Sequence, residues 1–264
     1  MPIKPGISTA CLYPKLLEEA LYDVCSRGGD NIEIFINTHS EILPDFVKRM
    51  KDIVTEYGTN VVSLHPFTPG IEPMMIFTDY ERRFLDMLDY YKRFFEACNI
   101  LGAGIFVLHG NKPENVFADE MYFDRFARMQ AVGREFGVTV AQENVKRCSA
   151  GRLSFMKKMA DYLGDDAAFV LDTKQAIRAG EDIFNVVETL GNKIVHVHYS
   201  DNSPEKDCMK FGAGTFDYNR FFDTLDKVGF DGTAALELYR CDFTDEDDLV
   251  DSYRLMRDAI EKRK

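Results

Sequence analysis

Eight short apolar runs alternate with longer amphipathic stretches along the whole chain, and this alternation restricts the fold more than any other feature. The runs are KPGIST (4–9), NIEIFI (31–36), NVVSLH (60–65), GIFVLH (104–109), VTVAQEN (138–144), AAFVLDT (167–173), KIVHVHY (193–199) and TAALELY (233–239). Their short length and β-branched content predict strands. The segments between them carry helical spacing. In PKLLEEALYDVCSRGG, residues Leu16, Leu17, Ala20, Leu21 and Val24 share a face, and Gly28-Gly29 marks a stop. YERRFLDMLDYYKRFFEACNILG and NRFFDTLDKVGF read the same way. DEDDLVDSYRLMRDAIEKRK starts acidic and ends basic, as the helix dipole favours. Eight strands alternating with about eight helices in a chain of 264 residues predict an α/β fold, a single (β/α)₈ barrel spanning residues 1–264. The competitor is an open doubly wound sheet, which usually carries a Gly-rich fingerprint after its first strand. Here the first run leads into STACLYP, with no GxGxxG, and no linker-like stretch divides the chain.

Composition disfavours several classes of partner. The chain is 45% hydrophobic and 29% charged, ordinary values for a soluble protein. No apolar run approaches the roughly 20 residues of a membrane span. The start, MPIKPGISTA, lacks the apolar core of a secretion signal. A net charge of -12 and a pI of about 4.9 disfavour a phosphate backbone, so no nucleic-acid partner is expected. The six cysteines are scattered without a CxxC pair and read as reduced thiols of a cytoplasmic protein. Cys208, in EKDCMK, is the one to consider as a nucleophile; an ordinary loop thiol is the competing reading.

In a barrel of this kind the active site lies at the carboxyl ends of the strands. Residues two apart in a strand share a face, so Ser63 and His65, Val107 and His109, Ala141 and Glu143, Val170 and Asp172, His196 and His198, and Ala235 and Glu237 are expected to point inward as pairs. Each polar member has an ordinary explanation alone: Glu143 as a helix cap, Asp172 as an N-cap, His65 before Pro66 as a turn residue. Together they are harder to explain so. Burying Glu143, Asp172 and Glu237 at one mouth is costly unless a cation or protons neutralise them. Three carboxylates and a histidine form a ligand set suited to one divalent metal ion, Mn²⁺, Mg²⁺, Co²⁺ or Zn²⁺. His198, nearer the strand end, is the ligand candidate, and His196, one layer deeper, is expected to support it.

The order QEN, LDT, HVH-x-SD and LELY at the ends of strands five to eight, with GIST and IEIF at strands one and two, resembles the xylose isomerase-like TIM-barrel superfamily. That group includes D-tagatose 3-epimerase, hydroxypyruvate isomerase and metal-dependent apurinic endonucleases. The resemblance implies a metal held by Glu143, Asp172, His198 and Glu237, with Glu143 and Glu237 also flanking the reacting carbon. It implies an isomerase or epimerase of a sugar or sugar phosphate, acting by proton abstraction next to a carbonyl through a metal-stabilised enediolate. An inosose-dehydratase-like lyase, an endonuclease-like hydrolase and a non-catalytic sugar-binding relative are the alternatives. Related barrels often pair through their helices, which leaves a homo-oligomer open.

Departures from the pattern qualify the substrate side. Gln175 stands where the family commonly has a histidine, and Lys206 is a loose substitute for an arginine of the epimerases. KDCMKFGAGTFD lacks the histidine that a trinuclear endonuclease site needs. His65 and His109 match endonuclease ligand positions but are read as substrate-contacting or structural. Lys174, Gln175 and Lys206 are further substrate-binding candidates. Lys146, Arg147, Lys174 and Arg240 could receive a phosphate or carboxylate, or merely offset the carboxylates. The GAG at Gly212–Gly214 lies where many barrels bind phosphate, with a flexible loop as the alternative. Tyr13, Phe67, Phe211 and Tyr239 are candidates to wall the pocket.

Overall fold

The computed structural model describes residues 3–263. Residues 1, 2 and 264 of the expected domain lie outside the described residues. All eight runs form the strands of one closed parallel barrel: β1 (Lys4–Ser8), β2 (Asn31–Phe35), β3 (Asn60–His65), β4 (Ile105–Leu108), β5 (Thr139–Glu143), β6 (Phe169–Asp172) and β7 (Ile194–Tyr199), then, after a hairpin, β10 (Thr233–Leu236). The hairpin is β8 (Asp201–Ser203) with β9 (Lys206–Met209), an antiparallel pair that the sequence reading took for loop. With only three and four residues and no apolar alternation, it carries no strand signal of its own.

The helices are α1 (Leu17–Ser26), α2 (Pro44–Glu56), α3 (Glu72–Met75), α4 (Glu81–Leu101), α5 (Asp119–Glu135), α6 (Leu153–Leu163), α7 (Thr173–Ala179), α8 (Ile183–Leu190), α9 (Tyr218–Lys227) and α10 (Glu246–Glu261). α10 closes at Glu261 with no basic residue in its last turn, and Lys262 and Arg263 follow it. Among the described residues no helix is long and apolar enough to cross a membrane.

Strand parity sorts the core into two parts. Outward residues such as Phe106, Leu108, Leu171, Val197 and Leu236 join one large apolar layer beneath the helices. Inward residues Val107, Ala141 and Val170 belong to a second, small cluster with Ala168. They are the partners, two residues back, of His109, Glu143 and Asp172, which places those three polar side chains above an apolar floor. On the opposite side of the barrel the interior is polar: Ser8, Glu33, Ser63 and His196 are all fully buried.

The segment after β7 corrects the reading of the GAG. Asp201 is buried, and its carboxylate accepts from the backbone N–H groups of Gly212 (2.9 Å), Gly214 (3.2 Å) and Phe216 (3.2 Å). A Cβ on Gly214 would meet the Asn202 carbonyl oxygen at 2.2 Å. The cradle of N–H groups that could hold a phosphate is filled by the chain's own carboxylate, and the loop is tied down. Asp201→Ala should therefore cost about 1–3 kcal/mol, since it removes a buried carboxylate with its three backbone hydrogen bonds. Urea unfolding checks this, and a change below about 0.5 kcal/mol would refute the anchoring role.

Candidate metal and active site

His198, fully buried near the end of β7, is the centre of the site. Its register partners are Asp172 on β6 and Ala235 on β10, which set the neighbouring strand ends level with it. Glu143 is the last residue of β5, and Glu237 follows β10, its N–H donating to the Tyr199 carbonyl at 2.9 Å. His198 Nδ1 lies 3.5 Å from Glu143 Oε1, 3.5 Å from Glu237 Oε2 and 4.0 Å from Asp172 Oδ2, and makes no hydrogen bond.

The other ring nitrogen is held from below. His198 Nε2 is 3.0 Å from Glu33 Oε2, an oxygen that also accepts from Ser63 (2.8 Å) and lies 3.2 Å from His196 Nε2. Glu33 Oε1 accepts from Ser8 at 3.1 Å. Burial pushes the Glu33 carboxyl up, but His198 and His196 outweigh it and hold the group well below its usual range. Burial likewise works against a charged His198, while Glu33 and Glu237 raise it well above its ordinary value. His196 is lowered, with burial the main cause. Sequence reading missed Glu33. Its one signal was a lone glutamate at inward parity between Ile32 and Ile34.

Lys174 enters from the start of α7. Its buried ammonium donates to Asp172 Oδ2 at 2.5 Å and to Glu237 Oε2. Burial alone would lower it, but the two carboxylates raise it well above its ordinary value. The pair it bridges diverges. Asp172, the deeper one, is pushed up to about 6, chiefly by burial. Glu237, also raised by burial, ends lowered because Lys174 and His198 outweigh it. Asp172 Oδ1 meanwhile accepts from the Gln175 N–H at 3.0 Å as the N-cap of α7, so this residue both caps a helix and faces the site.

His65 and His109 form a second group with Glu143. His109 Nε2 is 2.7 Å from Glu143 Oε2 and 2.9 Å from His65 Nε2. Burial raises Glu143, but His109, His198 and His65 hold it well below its usual range. Behind His109 lies Glu72, a second buried carboxylate that sequence reading missed, since it sits in an ordinary-looking GIEPMM stretch. It accepts from the Gly110 N–H at 2.6 Å and from Tyr91 at 3.2 Å. Gly110 has φ +88°, and a Cβ there would meet the Tyr122 hydroxyl at 2.1 Å, so only glycine fits beside His109.

Above the buried His198, a cavity of about 750 Å³ opens. His65, His109, Glu143, Asp172, Lys174, Gln175 and Glu237 all face it, with Tyr13, Phe67 and Tyr239 among its aromatic walls. Three pocket candidates fall outside this cavity, and the ordinary-thiol reading of Cys208 holds. Lys206 is outside the lining, its ammonium 2.7 Å from Asp242. Arg240 is turned onto the carbonyls of Phe243 and Thr244. Phe211 is buried against Tyr199 and Tyr218, outside the cavity. Cys208 is buried in β9, its thiol pushed up to about 12 chiefly by burial, which removes it as a nucleophile.

The donor set fits a divalent cation. Glu143, Asp172 and His198 each offer a ligand atom within 4.8 Å of one another, and Glu237 faces the same unpartnered His198 Nδ1. A buried imidazole nitrogen aimed at three carboxylates, its opposite nitrogen held by a fourth, is how proteins orient metal-binding histidines. The His65–His109–Glu143 group meets the same distance criterion and shares Glu143 with the first.

The family model "xylose isomerase-like TIM barrel" matches residues 22–259, and the chain belongs to that family. A protein of Mycobacterium leprae is 24% identical over 257 residues, 89% of each chain. An inosose isomerase of Bacillus velezensis is 21% identical over 240 residues, 84% of this chain and 83% of its own length. Among solved structures, a D-tagatose 3-epimerase-like protein superposes with a TM-score of 0.79 at 18% identity, covering 99% of this chain and 97% of its own.

Two outcomes follow from this geometry. Below about pH 6 Asp172 carries a proton that a cation must displace, so Mn²⁺ affinity measured by calorimetry should fall as pH drops from 7.5 to 5. A flat profile would take Asp172 out of the ligand set. Glu33→Gln should weaken Mn²⁺ binding about 10–100-fold by loosening the His198 ring; unchanged affinity would show that Glu33 does not orient it.

Proposed function

We propose that the protein is a divalent-metal-dependent isomerase or epimerase of a sugar or sugar phosphate. The observation that carries this reading is the convergence of Glu143, Asp172 and Glu237 on the unpartnered Nδ1 of His198, at one cavity. Glu143, Asp172, His198 and Glu237 would hold the ion. When bound, a divalent cation such as Mn²⁺, Mg²⁺ or Co²⁺ supplies Lewis-acid stabilisation of negative charge developing on the substrate.

The chain's own residues do the rest. Glu143 and Glu237 are both held ionised at neutral pH, as bases must be. One takes the proton next to the carbonyl, giving an enediolate, and the other, after taking up a proton from water, gives that proton to the enediolate. Return to the opposite face of the same carbon is epimerisation; delivery to the neighbouring carbon is isomerisation. His109, 2.7 Å from Glu143, is placed to hold or relay the proton that Glu143 accepts. Tyr13, Phe35, Phe67 and Tyr239 wall the cavity and limit water around the reacting carbon. Gln175 binds a substrate hydroxyl in this reading, while Lys174 holds Asp172 and Glu237. All six cysteines are free, which suits a reducing cytoplasm.

The test is proton exchange by NMR in D₂O, with metal-loaded protein and a panel of ketoses, aldoses and their phosphates. Metal-dependent deuterium uptake beside a carbonyl is the expected result, and its position separates epimerase from isomerase. Loss of a hydroxyl from a keto-cyclitol instead would favour the lyase alternative. Glu237→Gln should lower exchange about 10²–10⁴-fold while the fold is kept. Near-wild-type exchange in that variant, or exchange that resists a chelator, would overturn the reading.

A further inference from the structure

The cavity lining carries more cations than carboxylates in a molecule that is acidic as a whole. The chain holds 44 acidic against 32 basic side chains. The cavity lining holds Lys146, Arg147, Lys174 and Arg178 against Glu143, Asp172 and Glu237. The three carboxylates sit at the strand ends, where Lys174 and His198 already oppose them. What remains at the mouth is positive.

Lys146 and Arg147 stand apart from the other cations of the cavity. Lys174 is committed to Asp172 and Glu237. Arg178 is held by both oxygens of Asp207 and donates to the Tyr239 hydroxyl at 2.6 Å. Lys146 and Arg147 are exposed, and among the described residues neither side chain has a carboxylate or hydrogen-bond partner. Their backbone is nevertheless placed: the Lys146 N–H donates to Gln175 Oε1 at 3.1 Å, and the preceding Val145 is buried. Gly151 packs so closely against this turn that a Cβ there would meet Lys146 Cα at 2.7 Å. The turn is fixed while its two charged side chains are free. Lys146 lies only three residues after Glu143, a span of at most roughly 11 Å of backbone. A small molecule that meets Glu143 is therefore within reach of Lys146.

The other anion cradle of the barrel is closed, because Asp201 occupies the N–H groups of Gly212, Gly214 and Phe216. We infer that the substrate carries an anionic group, a phosphate ester or a carboxylate, distal to the reacting carbon, and that Lys146 and Arg147 bind it beside Arg178. An ammonium and a guanidinium side by side offer the charge and the forked donors such a group takes. This inference rests on the sugar reading above and narrows it to sugar phosphates and sugar acids.

The test is equilibrium binding, read without turnover. Ribulose 5-phosphate, glucuronate and neutral ribulose are titrated calorimetrically into Mg²⁺-loaded wild-type protein and the K146Q/R147Q double variant, with inorganic phosphate as competitor. Both substituted residues are exposed, and circular dichroism and Tm confirm the variant's fold. The expected result is at least tenfold tighter binding of one anionic ligand than of ribulose, weakened by added salt and lost in the variant. Whether the phosphate ester or the carboxylate binds more tightly identifies the group. Equal affinity for ribulose in the wild type, or a preference that survives in the variant, would overturn the subsite. Proton exchange on the same samples separates the two readings. Anion preference without exchange overturns only the enediolate mechanism, and exchange without anion preference overturns only the subsite.

Discussion

A carboxylate sealed inside a barrel is expensive unless its charge is met, and Glu33 is met on every side. Two serine hydroxyls and two imidazoles surround it. Such a group costs several kcal/mol in isolation, so Glu33, Ser8, Ser63, His196 and His198 form one unit, drawn from β1, β2, β3 and β7. That unit decides which way the His198 ring faces. With Nε2 fixed from below, Nδ1 has one direction left, and the ends of β5, β6 and β10 bring their carboxylates to it. The half of the barrel under Glu143 and Asp172 is apolar by contrast, so the polarity of the floor is concentrated where a ring must be aimed.

The second organising feature is charge placed against charge. Lys174 gives the site an internal cation, bridging Asp172 and Glu237. These carboxylates therefore do not face each other bare in the folded chain. A divalent ion binding here meets oxygens already hydrogen-bonded to an ammonium, so its affinity reflects a competition between two cations. Glu143 is balanced differently, by His65, His109 and His198. The two proposed bases thus sit in unlike surroundings, one among imidazoles and one beside an amine.

How much of this was readable without coordinates depended on how local the signal was. Strand runs and their parity are properties of five to seven neighbouring residues, and they located the barrel and the inward residues from His65 to Glu237. The cost of burying Glu143, Asp172 and Glu237 together gathered them with His198 as a set, and the resemblance gave the two glutamates their second role. Glu33 escaped because its meaning lies in partners 25 to 165 residues away. Glu72 escaped for the same reason, its partners being Tyr91 and Gly110. Lys206 and Arg240 were placed near the mouth by position in sequence, but each found a nearer acceptor. The GAG showed N–H groups without showing that Asp201 would fill them. In each case a hydrogen-bond partner, not a propensity, decided the outcome.

Asp172 caps α7 with one oxygen and faces His198 with the other. α7 spans seven residues, too short to persist alone in water, and it carries both Lys174 and Gln175. Assembly of the site and closure of this helix are therefore one event. If the first turn of α7 frays, the ammonium leaves Glu237, the cap leaves Gln175, and the Gln175 oxygen leaves the Lys146 turn. The chemistry at the strand ends is thereby coupled to the rim, through a helix barely two turns long.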